Sequence, residues 1–255
     1  MARVLDRFRL DGKVAIVTGA SRGLGRGIAV ALADAGADVA VVARGDLAET
    51  QAAIAALGRR ALPIVADVGA RDAAELIMTE TVRGLGQADI LVNNAGIIRR
   101  ASFLEFSEQD WHDVLDVNLD GVFRLSQQFA RQVVARKERG KIIHIASMLS
   151  FQGGVRVSSY TASKSALHGL TKLMANELAP LGINVNALAP GYMATDNTAA
   201  LQADPARNQA ILDRIPAGRW GTAEDLEGAA VFLASTASDY LHGHTLAVDG
   251  GWLAR

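Results

Sequence analysis

The chain is 255 residues long, half of them hydrophobic and only 5% aromatic, which is enough for one α/β domain with a substantial buried core. A formal charge of −1 gives no global attraction to nucleic acid or an anionic membrane, and the lack of cysteine excludes disulfides, thiolate metal sites and cysteine nucleophiles. No apolar run approaches the ~18 residues of a membrane span, and the N-terminus carries scattered charges instead of an apolar signal-peptide core, so a cytoplasmic protein is expected.

Val14 to Thr18 is a continuous apolar run ending at Gly19, the pattern of a strand buried on both faces. G-A-S-R-G-L-G follows from Gly19 to Gly25, then a helical stretch to Ala35, Gly36 as its stop, and a second strand from Val39 to Ala43. Strand, glycine-rich turn, helix and strand within about thirty residues make the βαβ unit of a dinucleotide fold. The glycines let the backbone approach a pyrophosphate, and the helix start offers free N–H groups and a positive dipole end. The spacing is G-x-x-x-G-x-G instead of the more familiar G-x-G-x-x-G. The second strand ends in Ala43-Arg44, with no acid at its tip to accept ribose hydroxyls. Arg22 and Arg44 together can clamp a 2′-phosphate, which favours NADP(H). Asp46, slightly beyond, can serve a ribose and leaves NAD(H) open.

Asp46 to Leu57 reads as a helix and Ala61 to Val65 as a third strand, closing on Asp67-Val68, where a carboxylate can meet an adenine amino group or cap a turn. Ala70 to Arg83 is helical, and the fourth strand, Ile90 to Val92, runs into N-N-A-G, Asn93 to Gly96. One long helix is expected from Ser107 to Arg136, with Ser107 as its cap and Asn118 in its middle. Lys141 to Ile145 is the fifth strand, delivering Ser147, and Ser159 to Leu178 is a helix carrying Tyr160 and Lys164. Ile183 to Ala189 is the sixth strand, followed by P-G-Y-M-A-T. Asp196 to Ile215 is polar and helical, a lid over a site. A helix from Thr222 to Ala234 and a seventh strand, Thr245 to Val248, complete the chain. The alternation predicts a single domain over 1–255: a Rossmann-type doubly wound α/β fold of seven parallel strands with helices on both faces. The polar motifs fall at strand C-termini, the edge where open α/β sheets bind ligands.

Tyr160 and Lys164 stand at i and i+4 and so share one helical face. A free phenol, with a pKa of about 10, accepts a proton poorly near neutrality, and a cation held nearby favours the phenolate. Ser147, at the tip of the preceding strand, can donate a hydrogen bond to the same substrate oxygen. Five histidines show no ligand-like clustering, and no metal is implied.

T-G-A-S-R-G-L-G, N-N-A-G, the helical Asn118, the serine before Y-T-A-S-K and P-G-Y-M-A-T together resemble the short-chain dehydrogenase/reductase family across essentially the whole chain. That resemblance implies a catalytic set of Asn118, Ser147, Tyr160 and Lys164. Tyr160 would be the acid or base, Lys164 would hold the nicotinamide ribose and lower the tyrosine pKa, Ser147 would polarise the substrate oxygen, and Asn118 would place a water. It implies cofactor contacts from Gly19, Ser21, Arg22, Gly23, Leu24, Gly25, Arg44, Asp67, Val68, Asn93, Ala95, Gly96, Tyr160, Lys164, Pro190, Gly191, Met193 and Thr195. It also implies a homotetramer built through the long helices.

Within the family, N-N-A-G-I-I-R-R, S-M-L-S-F-Q-G-G and P-G-Y-M-A-T-D-N-T resemble the branch acting on gluconate and 3-deoxy-gluconate. A sugar-acid carboxylate wants a guanidinium and its hydroxyls want amides. Arg99, Arg100, Met148, Gln152 and Tyr192 are the candidate substrate residues. Two other readings remain compatible: a 3-oxoacyl-carrier-protein reductase, and a regulatory protein that binds NADP without turnover.

Overall fold

Each of the seven apolar runs forms a strand in the computed structural model, which describes residues 3–255. The strands are β1 (Val14–Thr18), β2 (Asp38–Ala43), β3 (Ala61–Val65), β4 (Ile90–Asn93), β5 (Gly140–Ile145), β6 (Ile183–Pro190) and β7 (Thr245–Val248). They form one parallel sheet in the order β3-β2-β1-β4-β5-β6-β7. The order reverses between β1 and β4, and there a crevice opens at the strand C-termini. β1, β2, β4, β5 and β6 are buried along their whole length, as strands covered on both faces must be. β3 pairs only with β2, and this edge position tolerates Pro63, which has no N–H to donate.

The helices are α1 (Gly23–Asp34), α2 (Ala48–Ala56), α3 (Ala73–Leu85), α4 (Glu108–Leu115), α5 (Gly121–Ala135), α6 (Ser158–Leu178), α7 (Ala199–Ala203), α8 (Pro205–Leu212) and α9 (Glu224–Ala234). Side chains alternate across the sheet and build two cores. Ala15 and Val17 of β1 pack with Ile28 and Leu32 of α1, Ile54 of α2 and Leu233 of α9. Val14 and Ile16 pack on the opposite face with Ile77 of α3, Phe129 of α5 and Met174 of α6. Phe129 is fully buried, so its truncation to alanine would cost about 3–5 kcal/mol.

Two expected helices are interrupted. The long helix predicted from Ser107 to Arg136 is broken by a π-helical turn at Asp116–Asp120 between α4 and α5. The wider turn carries Asn118 and aims its amide at the backbone of Ile97, work that a regular helix would not assign to it. Ser107 does cap α4, accepting a bond from Asp110 N at 3.1 Å. The predicted lid helix, Asp196 to Ile215, is a short turn at Asp196–Thr198 followed by α7 and α8. Pro205 cannot continue α7, and Asp204 instead caps α8 by accepting from Ala206 N and Arg207 N at 3.0 and 3.1 Å. Among the described residues, no helix is long and apolar enough to cross a membrane.

Candidate active site

β1 delivers the glycine-rich turn to the sheet's C-terminal edge. Gly19 has φ +67°, a left-handed conformation that L side chains rarely adopt, and a Cβ on Gly25 would lie 2.1 Å from Gly19 O. This close approach sets the N-terminus of α1, with its free N–H groups, against the crevice. Thr18 ties the turn to β4: its hydroxyl donates to Val92 O and accepts from the N–H groups of Asn94 and Ala95, both at 3.0 Å.

A cleft of about 700 Å³ follows this edge, within the ~300–1,000 Å³ usual for small-molecule and cofactor sites. Its lining runs from Arg44, Asp67 and Val68 at the ends of β2 and β3, past Gly19, Ser21, Arg22, Gly23, Leu24 and Gly25, to Ala95 and Gly96 after β4. It reaches Ser147, Tyr160 and Lys164, with Pro190, Gly191, Met193 and Thr195 after β6 forming the facing wall.

Of the expected cofactor contacts, Asn93 alone lies away from the cleft. It is 3% exposed and points beneath the sheet edge, its Nδ2 donating to Ser126 Oγ at 3.0 Å and facing His144 Nδ1 at 3.2 Å. Alternation along the strand turns Asn94 the other way. The Asn94 amide donates to Thr18 O (2.8 Å) and Gly19 O (3.2 Å) and lines the cleft. Sequence reading missed this residue and also His144, a fully buried side chain whose pKa burial and the Lys164 charge push down to about 3, so that it stays neutral.

At the far end, α6 places Tyr160 and Lys164 on one face, the Lys164 ammonium 5.6 Å from the tyrosine ring centroid. Lys164 is 4% exposed and donates to Ile145 O at 2.6 Å. Burial lowers its pKa to about 8. Burial also raises the Tyr160 phenol, while a hydrogen bond with Ser147 and the positive charge of Arg100 work against that rise. Asn118 lies next to the site without lining it. Its Oδ1 accepts from Ile97 N at 2.9 Å, and its Nδ2 donates to Ile97 O at 3.0 Å and Ser163 Oγ at 3.3 Å. The side chain is thus spent on fixing the loop.

A family model described as enoyl-(acyl carrier protein) reductase matches residues 19–253. The 2-dehydro-3-deoxy-D-gluconate 5-dehydrogenase of Dickeya dadantii (strain 3937) is 57% identical over 252 residues, 99% of this chain and 100% of that protein. The protein of the same name from Bacillus subtilis (strain 168) is 52% identical and aligns over 100% of both chains. The crystal structure of a gluconate 5-dehydrogenase from Burkholderia cenocepacia J2315, in complex with NADP and tartrate, superposes with a TM-score of 0.94 at 44% identity, covering 99% of this chain and 100% of that one. The chain belongs to the short-chain dehydrogenase/reductase family.

The five substrate candidates fare differently in this short-chain dehydrogenase. Arg100 alone stands close enough to the phenol for its charge to act there, with its Nη2 donating to Asn197 O at 3.0 Å. Arg99 turns to α4, where Asp110 (3.2 Å) and Asp113 (3.5 Å) neutralise it. Met148 is buried with Ile211, Ile215 and Trp252, and Gln152 accepts a bond from Arg214 at 3.3 Å. Tyr192 packs edge-on against Trp220 and Trp252, with ring centroids 5.4 and 4.8 Å away. These three buttress the wall behind the cleft instead of lining it. Their apolar or amide character reads alike for either job, which is why spacing did not separate them.

Proposed function

We propose that this protein interconverts the C5 hydroxyl of 2-dehydro-3-deoxy-D-gluconate and the corresponding ketone, with NADP(H) as the redox partner. The observation that carries this reading is the meeting of Ser147, Tyr160 and Lys164 at one end of the cleft, with the charge of Arg100 acting on the phenol. The names of the relatives at 57% and 52% identity point to the same sugar acid.

The cleft suits a dinucleotide. A Cβ on Gly23 would meet nothing nearer than Thr195 Cγ2 at 3.9 Å, so the start of α1 is open to a diphosphate. Ser21 to Gly25 would hold that diphosphate, Arg22 and Arg44 a 2′-phosphate, and Asp67 with Val68 the adenine. When bound, the nicotinamide supplies or takes up the hydride at the substrate carbon. Tyr160 gives its proton to the carbonyl oxygen during reduction and takes the hydroxyl proton during oxidation. Ser147 donates a hydrogen bond to the same oxygen and orients it. Lys164 keeps a buried positive charge beside the phenol and would hold the nicotinamide ribose. Asn118 fixes the Ile97 loop and offers its carbonyl to a water that replenishes the proton. Arg100 receives the substrate carboxylate.

The protein acts in the cytoplasm as a homotetramer. Phe123 on α5 and Leu173 on α6, 48% and 52% exposed, flank an apolar groove with Leu119 and Leu170, a surface suited to the same helices of a second copy. The acyl-carrier reading predicts a different substrate, and one assay separates the two. Purified protein is given NADPH with the 5-ketone of the sugar acid or with an acetoacetyl thioester. Consumption of NADPH on the ketone sugar acid alone is expected, and faster turnover of the thioester would overturn the assignment.

A further inference from the structure

The turn Asp196–Thr198, which opens the segment over the cleft, is tied from both banks. From the glycine-rich turn, Arg22 Nη1 meets Asp196 Oδ2 at 3.0 Å. From the loop after β4, Arg100 Nη2 donates to Asn197 O at 3.0 Å. The turn itself is braced: the single proton of the Thr198 hydroxyl has Met193 O (2.5 Å) and Thr195 O (2.9 Å) as acceptors, and the hydroxyl oxygen accepts from Thr195 N (3.1 Å). Asp196 is thereby presented to Arg22 on a fixed support, and both residues line the cleft.

A carboxylate and a phosphate seek the same fork of guanidinium N–H groups. An N–H held by Asp196 is not free for a cofactor phosphate. Arg44, the second cation at this end, has a looser partner, Asp67 at 3.6 Å. We propose that Asp196 is a specificity-determining residue, an internal competitor for Arg22 that weakens the binding of the 2′-phosphorylated cofactor and leaves the unphosphorylated one unaffected. This rests on the assignment of Arg22 as a 2′-phosphate ligand. The same competition couples the cofactor to the covering segment: a phosphate that takes Arg22 releases Asp196 and removes one of the two ties on the turn.

The test is fluorescence titration of NADPH and NADH into the full-length protein, the variants Asp196→Asn and Arg22→Ala, and the double variant. Both side chains are largely exposed, so the pair is weak, and Asp196→Asn tightens NADPH by about two- to fivefold at low salt. NADH affinity stays constant, and the gain disappears when Arg22 is already alanine. Equal effects of Asp196→Asn on both cofactors, no effect on either, or a gain that survives Arg22→Ala would overturn the competition, the last showing simple through-space repulsion. If Arg22→Ala alone leaves the NADPH to NADH ratio unchanged, the phosphate assignment of Arg22 falls, and the competition falls with it.

Discussion

Exchanging Lys164 for methionine separates what this residue does in the site from what it costs the fold. The side chain is 4% exposed and has Ile145 O as its protein acceptor. Burial lowers its pKa from the 10.5 of a free lysine to about 8. At about 1.4 kcal/mol per pKa unit, keeping it protonated at pH 7 costs the folded state about 3 kcal/mol. Methionine fills similar space and removes that cost but leaves Ile145 O without its donor, a loss of about 1–2 kcal/mol. The variant should therefore be more stable at pH 7 by about 1–2 kcal/mol, a rise in Tm of about 2–6 °C for a chain of this size. The pH dependence is the signature. Below pH 8 the lysine is charged in both states and the full cost is present. From there to 10.5 the unfolded chain binds the proton and the folded one does not, so the wild type gains stability as pH rises. Calorimetry of both proteins without cofactor at about pH 7 and pH 10 should show the methionine advantage at the lower pH and its disappearance at the higher, while turnover is lost at both. A Tm difference that is zero or negative at neutral pH and unchanged in alkali would refute the buried-cation account.

Three further outcomes follow. Tyr160→Phe should keep cofactor affinity while lowering kcat by about 10²–10⁴-fold, as removal of a general acid–base does; near-normal turnover in a stopped-flow assay would remove the role assigned to the phenol. Arg44→Asp should lower the NADP to NAD preference by about tenfold or more, the worth of a charge-assisted hydrogen bond, read from kcat/KM with each cofactor. Arg100→Met should raise KM for the sugar acid by about tenfold. It should also move the pH profile of oxidation to higher pH, because a positive charge that favours the phenolate is gone; an unshifted profile would mean that Arg100 does not act on Tyr160.

Much of this architecture is legible from residue order. The runs read at Val14–Thr18, Val39–Ala43 and Ile183–Ala189 lie in strands buried over their full length, so nothing competes with the strand reading. Tyr160 and Lys164 are one helical turn apart, and local geometry alone brings them together. Sequence pattern and structure part where a tertiary contact decides. Asn118 breaks a helix because Ile97, 21 residues earlier, needs its amide. Asn93 and Asn94 are chemically identical neighbours, and only their placement on opposite faces of the sheet edge separates a buried brace from a cleft residue. Arg99 and Arg100 diverge in the same way, one toward the acids of α4 and one toward the site. The split lid was foreseeable, since Asp204-Pro205 is a helix start wherever it falls.

The most direct measurement of the central claim is identification of the product formed from 2-dehydro-3-deoxy-D-gluconate and NADP⁺. Mass spectrometry should find a species lighter by two hydrogens, with NADPH formed in equal amount, and carbon NMR should place the new carbonyl at C5. Oxidation at another carbon, or no NADPH from this substrate while the protein still binds the cofactor, would contradict the account.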